Sequence, residues 1–337
     1  AGTSSIRIDV PAPNDPNGGF IGGIFKDRGE GRDLTGYDAL TFWAKGSLTA
    51  TVGLVGFGTD FIDDKYAVSR ENIQLSTDWR KYTIPIPNAS RLVQEKGMFI
   101  FSAGSQSTNG FGYTLWIDEL KFENLGTIAQ PNPVILDGQD LVQQSFTGSS
   151  ISISGLTQTY NIESGENVTV RSAPSYFDFA SSDTSVANVN ELGVVSVVGS
   201  GSALITATMG SVLATGSLEV TATGALPIAP VPTLAASNVK SIFSDEYTVE
   251  TTSDYTPDFG GSTTQVAVVT ANNDSVLIYS NNNFTGIIFD NTVDASVLSF
   301  MHVDVYAQQA GVQVEFQIRD IGANGVINTN SFTGQPE

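Results

Sequence analysis

The sequence contains no cysteine among its 337 residues, and basic residues are scarce. Without cysteine the chain has no disulfide framework, thiol nucleophile or thiolate zinc site. Lysine and arginine number 15 against 35 acidic residues, which gives a net charge of -20 and no basic patch with interleaved aromatics. Nucleic acid and anionic membrane surfaces are therefore poor partners. The lack of cysteine is compatible with secretion.

Histidine occurs once, as His302, and the sequence has no nucleophile elbow, P-loop or metal-binding histidine pair. Hydrolysis of a glycosidic bond needs two opposed carboxylates in a substrate cleft. Asp304 and Glu315 would lie on adjacent strands, but no recognised glycosidase motif surrounds them. We therefore predict that this chain is not an enzyme, and we leave open a catalytic module elsewhere in a longer protein.

Long hydrophobic runs and amphipathic helical patterns are also missing, and no apolar run approaches 18 residues. The chain instead holds 34 glycines and only 15% charged residues, and short stretches alternate between apolar and polar positions. Such stretches, bounded by Gly, Asn, Asp and Pro, indicate β-strands. The predicted fold class is all-β, built from several β-sandwich domains.

The two ends of the chain repeat each other. FIGGIF at residues 20–25 reappears as FTGIIF at residues 284–289, and each copy precedes an aromatic strand, LTFWA from Leu40 and VDVYA from Val303. Self-similarity at this separation predicts duplicated domains. The front copy is expected to lack its opening strands and the back copy its closing strands, as in a window from a longer protein. Open sheet edges of this kind predict head-to-tail self-association.

Proline-rich stretches divide the chain into three predicted domains. Residues 130–133 and 225–232 are expected to be stiff linkers, because each proline fixes its own φ and keeps the preceding residue extended. The three predicted domains are a front module at 1–128, a middle module at 134–223 and a back module at 233–337.

The middle module carries FASSDTSVANV from Phe179, then GVVSV from Gly193 and GSALITAT from Gly201. This pattern resembles the bacterial immunoglobulin-like group 2 domain, although Phe179 stands where that family usually has tryptophan. The resemblance covers about 90 residues and implies a spacer or adhesive stalk on a secreted or cell-surface protein.

The outer modules share further motifs, YDALTFWAKGS from Tyr37, STDWRKYTIPIP from Ser76 and YTLWIDELKFENLG from Tyr113, with PTLAASNVKSIFSDEYT opening the back module at Pro232. These stretches resemble jelly-roll carbohydrate-binding modules of secreted bacterial polysaccharide-degrading and glycan-binding proteins. In the last strand of the front module, Leu115 and Ile117 and, after a slip of one residue, Leu120 and Phe122 are expected to be buried.

Strand alternation in the back module predicts a sugar-binding face. Met301, Val303 and Val305 fall on one side of a strand and their polar neighbours on the other, and the strand from Val312 to Ile318 alternates in the same way. Sugars need planar polar groups for hydroxyls and an aromatic surface for the apolar side of the ring. An ordinary solvent-facing sheet surface is the alternative. The predicted ligand-binding residues of this module are His302, Asp304, Tyr306, Glu315, Gln317 and Arg319.

Trp43 in the front module is the counterpart of Tyr306, and it is added to the predicted ligand-binding residues. Packing inside the module is the favoured interpretation for Trp43, with sugar stacking as the alternative. Trp79 and Trp116 are expected to be structural, since their motifs are typical of strand edges in such modules.

The many acidic residues leave calcium open as a cofactor, because Ca²⁺ prefers carboxylate and carbonyl oxygens. The jelly-roll resemblance implies a structural Ca²⁺ ligand at Asp118 in the last strand of the front module. Asp245 in the back module is the second predicted metal ligand. Asp60, Asp63 and Asp64 form a further acidic cluster without an EF-hand pattern, expected to be a solvated loop.

The sequence therefore predicts non-catalytic binding of an extracellular polysaccharide, with β-glucan as the first choice, by a secreted or surface-attached bacterial protein. Two modules would give avidity for a repeating polymer. A structural adhesin or stalk that binds no glycan is one alternative. The other is an accessory region of a secreted glycoside hydrolase whose catalytic domain lies outside this chain.

Overall fold

The computed structural model describes residues 4–250, 252–257, 259–271, 273–307 and 311–318. These residues form antiparallel strands and a few short 3₁₀ turns, which confirms the predicted all-β class. The turns are Ala89–Arg91, Gln106–Thr108, Leu136–Gly138, Pro174–Tyr176 and Ala236–Asn238. No helix within the described part of the chain is long and apolar enough to cross a membrane.

The front part of the chain contains β1 (Ile6–Val10), β2 (Phe20–Lys26), β3 (Ala39–Gly46), β4 (Ala50–Phe57), β5 (Val68–Leu75), β6 (Arg80–Pro85), β7 (Gly97–Gly104) and β8 (Tyr113–Glu123). The middle part contains β9 (Ala129–Val134), β10 (Asp140–Thr147), β11 (Ser149–Ser152), β12 (Thr157–Asn161), β13 (Asn167–Ser172), β14 (Asp178–Ser181), β15 (Ala187–Val189), β16 (Val194–Val197), β17 (Gly201–Met209), β18 (Val212–Leu213) and β19 (Ser217–Ala225). The described back part contains β20 (Thr252–Asp254), β21 (Gln265–Ala271), β22 (Asp274–Ser280) and β23 (Ile288–Phe289).

The chain forms two compact units. The first comprises residues 1–143, 152–195 and 203–220, and the second comprises residues 144–151, 196–202 and 221–337. These units are divided differently from the three modules expected from the sequence. The module boundaries stay a prediction about how the sequence is assembled.

The first unit contains a four-stranded sheet in the order β1-β8-β3-β6 and a seven-stranded sheet in the order β2-β7-β4-β5-β13-β12-β9. Their inner sides meet in an aromatic core, where the ring of Phe42 on β3 lies 5.7 Å from Phe99 on β7 and 5.5 Å from Tyr82 on β6. The motif YDALTFWAKGS thus supplies a central strand whose apolar residues face the other sheet. This packing leaves the opposite side of β3 free to carry a site.

The last strand of the front part contains the predicted slip, but Leu120 and Phe122 are only partly buried. Leu115 and Ile117 are 1% exposed, and a bulge then changes which side chains face inward. Phe122 lies beyond the bulge, and its ring packs 5.6 Å from that of Phe57. The apolar pattern of WIDELKF is therefore accounted for by one irregular strand, as expected.

The predicted linker at residues 130–133 is wrong, because these residues belong to β9, which pairs with β12. Strand β9 is the edge of the seven-stranded sheet, where a proline without an N–H is tolerated. The extended geometry that Pro131 and Pro133 impose is also the geometry of a strand. The prolines therefore predict the extended conformation correctly, but these residues form a paired strand and not a linker.

Residues 152–195 and 203–220 of the middle part belong to the first unit. Strand β13 pairs with β5 through Arg171 opposite Ser69 and Ser172 opposite Val68. Tyr176 is fully buried, and its hydroxyl donates to the backbone oxygen of Tyr66 at 3.0 Å. The strands predicted from GVVSV and GSALITAT are present as β16 and β17.

In the second unit, β21 pairs with β11 on one side and with β22 on the other, and β20 pairs with β23. A small apolar cluster joins the buried side chains of Phe146 and Leu226 to Val276 and Ile278 on β22. This cluster is smaller than the aromatic core of the first unit.

The predicted strands across residues 300–307 and 312–318 are wrong for the residues that the structure describes. Residues 301–307 and 312–318 belong to no strand, and both apolar series are exposed, with Val303 at 45% and Phe316 at 49%. Alternation sets which side chains share a side, but a strand also needs a neighbour to take its backbone hydrogen bonds. The plain sandwich core expected on one side of this module is therefore not formed by these residues.

Candidate functional site

Strand β3 is buried on both sides from Ala39 to Phe42, and its outer side becomes accessible at Trp43 and Lys45. Leu40, Phe42 and Ala44 are at most 2% exposed, whereas Trp43 between them is 40% exposed. This is the period of two that a β-strand imposes on its side chains. Trp43 therefore lies on the outer side of the four-stranded sheet.

Trp116 and Trp79 lie on that same outer side. In β8, Trp116 alternates with the buried Leu115 and Ile117. The ammonium of Lys45 on β3 lies 5.1 Å from the ring centroid of Trp116 and 5.5 Å from that of Trp79, which directly precedes β6. All three tryptophans of the chain are thus gathered on one sheet surface. We call this surface the tryptophan face; it comprises Trp43, Lys45, Trp79, Lys81, Trp116, Asp118 and their neighbours.

Trp43 stands between groups of opposite charge. Its cross-strand partners are Asp118 on β8 and Lys81 on β6. Neighbouring strands are about 4.8 Å apart, so both polar side chains flank the indole at close range. A half-exposed aromatic surface bordered by a carboxylate and an ammonium offers both an apolar surface and hydrogen-bonding groups to a ligand.

Lys45 lies two residues after Trp43 on the same side of β3. Its cross-strand partner Trp116 is in turn opposite Arg7 on the edge strand β1. Cations and indoles therefore alternate across the sheet, and the distances of the Lys45 ammonium to both rings are within the range of cation–π attraction. This attraction holds the end of a long side chain in one place.

The Glu123 carboxylate, opposite Ala39 at the start of β3, binds several side chains of the tryptophan face. It accepts a hydrogen bond from the Thr41 hydroxyl at 2.6 Å and lies 2.8 Å from the ammonium groups of Lys81 and Lys121. The hydrogen bonds from Lys121, Lys81 and Thr41, together with the charge of Lys81, lower the pKa of Glu123 to about 2. Glu123 therefore stays ionised near neutral pH.

A β-bulge in β8 makes this arrangement possible. Glu119 has a φ of 50°, the register with β3 shifts there, and the Asp118 carboxylate accepts the N–H of Glu119 at 2.8 Å. Because the bulge inserts one residue, Lys121 and Glu123 come to the same side of the sheet as Asp118. A regular strand would have turned them toward the core.

The residues predicted as a binding face in the back module are placed in two local pairs. His302 Nε2 lies 3.2 Å from Asp304 Oδ2, and the Gln317 amide donates to Glu315 at 2.8 Å. Each contact joins residues two positions apart on extended backbone. Arg319 lies outside the described residues. The ligand-binding role of these side chains stays a prediction.

Tyr306 has a packing contact of its own. Its ring lies 5.8 Å from that of Phe146 in an edge-on arrangement, next to the apolar cluster of the second unit. The side chain nevertheless remains 48% exposed. Tyr306 and Trp43, which the repeat makes counterparts, are therefore similar in exposure and differ in their surroundings.

The predicted calcium ligands, Asp118 and Asp245, are far apart in the sequence, and each carboxylate accepts a hydrogen bond from a backbone N–H. Asp118 accepts from Glu119, and Asp245 accepts from the backbone N–H of Ser275 at 2.5 Å. Across the described residues, no group of three or more histidine, aspartate or glutamate side chains is arranged to hold a metal ion. A calcium site at either aspartate stays a prediction.

The sequence analysis did not single out Lys45, and its expectation that Trp79 and Trp116 are structural stays a prediction. The motif typical of strand edges suggested a structural role for both tryptophans, yet Trp79 is 38% exposed. Strand alternation alone places Trp43, Lys45 and Trp116 on outer sides, so that signal was available. What alternation does not show is that β8, β3 and β6 are neighbours.

No protein-family model matches the chain, and no curated protein matches it. Among solved structures, the chain is similar to a family 30 carbohydrate-binding module, with 18% identity and a TM-score of 0.26 over 36% of this chain and 67% of that one. The family 30 module of a cellulosomal cellulase of Clostridium thermocellum matches with 18% identity and a TM-score of 0.26, over 36% of this chain and 75% of that one.

A β-1,2-glucanase from Parabacteroides distasonis also matches, with 10% identity and a TM-score of 0.24. That match covers 67% of this chain and 33% of the glucanase. Likenesses of this size assign no function, so the functional argument rests on the tryptophan face itself.

Proposed function

We propose that this chain binds an extracellular polysaccharide without cleaving it, and that the tryptophan face is the contact surface. The observation that carries the proposal is the gathering of all three tryptophans on one outer sheet surface, two of them about 40% exposed. Large aromatic side chains on a solvent-facing sheet cost hydration free energy, and polar residues are the usual choice there. Their concentration at one place is typical of an interaction surface.

The chemistry of the face suits a sugar polymer. The apolar side of a sugar ring packs on an aromatic ring, and its hydroxyls require donors and acceptors at the edge. Trp43 offers the ring, and Asp118 and Lys81 on either side offer an acceptor and donors. An exposed sheet surface accommodates a long polymer that extends beyond it on both sides.

The ionisation of Glu123 supports binding rather than cleavage. A carboxylic acid that protonates a glycosidic oxygen needs a raised pKa. Glu123 has its pKa lowered to about 2 and is committed to two lysines and a threonine. It therefore acts as a structural anchor of the face.

The decisive experiment uses tryptophan fluorescence, because every tryptophan of the chain belongs to the tryptophan face. Soluble polysaccharides are titrated into the protein, with a β-glucan first, and the same polymers are tested in affinity gels. We expect a saturable change in emission and retardation in the gel. Trp43→Ala should weaken binding about fivefold or more, since a stacked aromatic ring contributes roughly 1 kcal/mol beyond its burial.

Phe61→Ala is the matched control. Phe61 is an exposed aromatic, at 73%, in the loop that follows β4 of the seven-stranded sheet, and its loss should leave binding unchanged. Tyr306→Ala tests the second predicted surface in the same assays; weakened retention would assign it a role beside the tryptophan face. If no polymer alters the emission and none retards the protein, the chain is better explained as a structural stalk.

A further inference from the structure

Lys45 differs from the other cations of the tryptophan face. Lys81 and Lys121 are each 2.8 Å from the Glu123 carboxylate, and Arg7 is 3.0 Å from Asp9. Lys45 forms no ion pair with any described residue, and its ammonium is held by the rings of Trp79 and Trp116. One positive charge at the centre of the face is therefore left without an anion.

This charge is unusual in its setting. The chain has a net charge of -20, and basic residues number 15 of 337. Three acids lie on or beside the face: Glu123 is paired with two lysines, Asp9 with Arg7 and the Thr114 hydroxyl, and Asp118 accepts the backbone N–H of Glu119 and forms no ion pair with Lys45. The Thr114 hydroxyl and then Arg7 lower the pKa of Asp9, so this carboxylate also stays ionised. Lys45 is thus a cation fixed between two aromatic rings, with N–H donors that no described carboxylate accepts.

We infer that Lys45 receives an acidic group of the ligand, so that the tryptophan face selects a polysaccharide containing acidic sugar residues, either uronic acids or sulfate esters. This inference rests on the proposed function and names its substrate class. Lys45 lies two residues from Trp43 on the same side of β3, so an acidic substituent of a sugar bound beside Trp43 would be close to the Lys45 ammonium. A hydrogen bond between two charged groups is about twice as strong as a neutral one. The acidic surface elsewhere repels such a polymer, so attachment depends on this local contact.

The test compares polymers of matched size and different charge on the intact chain. A polyuronate, dextran sulfate, dextran and a neutral β-glucan are each titrated against the tryptophan emission and tested in affinity gels. We expect at least one acidic polymer to bind more tightly than both neutral ones, with an affinity that falls as salt is added, since exposed charge contacts are screened. The acidic polymer that binds identifies the group as a carboxylate or a sulfate ester.

Substitutions of Lys45 test whether this residue causes the preference for acidic polymers. Lys45→Met keeps the apolar stem between the rings and removes the charge. It should weaken binding of the acidic polymer about fivefold more than binding of the neutral polymers, which corresponds to about 1 kcal/mol for one exposed ion pair. Lys45→Arg should retain the preference. Lys26→Met on β2 of the other sheet alters the net charge equally and should change neither affinity.

Two results would overturn the inference, and they have different consequences for the proposed function. If neutral β-glucan binds as tightly as the acidic polymers and Lys45→Met weakens both alike, Lys45 only supports the two rings, and the proposed function survives. If no polymer of either kind binds, the proposed function fails together with the inference. An unchanged far-ultraviolet circular dichroism spectrum confirms that each variant is folded.

Discussion

The two copies of the repeated block have different structures. In the front copy, FIGGIF lies in β2, paired with β7, and LTFWA lies in β3, paired with β8 and β6. In the back copy, only Ile288 and Phe289 of FTGIIF belong to a strand, and VDVYA belongs to none. Similar alternating sequences thus yield a central strand in one place and, within the described residues, no strand in the other.

The difference shows that pairing, and not alternation, creates a strand. Phe42 in the front copy is 2% exposed between aromatic rings from β6 and β7. Its counterpart in the repeat, Val305, is 56% exposed. An apolar side chain stabilises the fold only when a neighbouring element covers it. The front copy has such neighbours on both sides of β3.

The largest difference between the two copies is expected when Phe42 and its counterpart Val305 are each shortened to alanine. Phe42→Ala should lower the free energy of unfolding of the first unit by about 3–5 kcal/mol, because it leaves a cavity beneath Tyr82 and Phe99. Val305→Ala should change the free energy of unfolding by less than about 0.5 kcal/mol, since the side chain is exposed. Urea denaturation followed by circular dichroism measures both.

Comparable losses at the two positions would contradict the comparison. They would show that VDVYA is packed in solution as LTFWA is packed here. Val55→Ala, on β4 of the first unit with 2% exposure, serves as a second core variant and should also be strongly destabilising.

A smaller effect concerns pH. The pKa of Glu123 is lowered from 4.5 to about 2 by its hydrogen bonds and ion pairs, so its contribution to stability is fully present above about pH 4.5 and is lost as the pH falls toward 2. Glu123→Gln should remove this part of the acid sensitivity of the first unit, at a cost near neutral pH of about 1 kcal/mol. Denaturation midpoints between neutral pH and about pH 2 measure the effect.

Glu315→Gln is the back-copy control for this experiment. The Glu315 carboxylate accepts an amide hydrogen bond from Gln317, two residues along the chain, and its replacement should leave the midpoint unchanged near neutral pH. A Glu123→Gln variant that follows the wild-type profile down to the acid limit would show that the lysine and threonine contacts do not stabilise the folded state.

The smallest effect concerns two tyrosine hydroxyls in the front copy. Tyr113 is buried, its hydroxyl has no hydrogen-bond partner among the residues that the structure describes, and burial raises its pKa to about 12. Tyr113→Phe should be neutral or stabilising by up to about 1 kcal/mol, because it removes an unsatisfied polar group. Tyr82→Phe should instead be destabilising by about 1 kcal/mol, because the Tyr82 hydroxyl donates to the Gln74 backbone oxygen at 2.7 Å. If both substitutions shift the thermal unfolding midpoint in the same direction, the expected difference between the two hydroxyls is wrong.

Several features could be predicted because they depend on residues close in sequence. The all-β class follows from short alternating stretches, and the slip in WIDELKF follows from two apolar pairs separated by one extra residue. The strands from GVVSV and GSALITAT follow in the same way. Each of these is a statement about one strand and its two sides.

The errors fall where a second element decides the outcome. Residues 130–133 have an extended conformation, as their prolines require, and β12 converts that conformation into an edge strand. Residues 301–307 have an alternating pattern but no strand beside them in the described chain. Both errors follow from hydrogen-bonding partners that lie elsewhere in the sequence.

The all-β class, the shared side of Trp43 and Lys45, and the slip before Phe122 in β8 follow from the local sequence. Tertiary structure alone decided that β8, β3 and β6 are neighbours, so that Trp116 and Trp79 flank the Lys45 ammonium. Alternation is a local consequence of backbone geometry, with a period of two residues. Sheet order depends on which distant strands bury each other's apolar sides, and no local pattern contains that information.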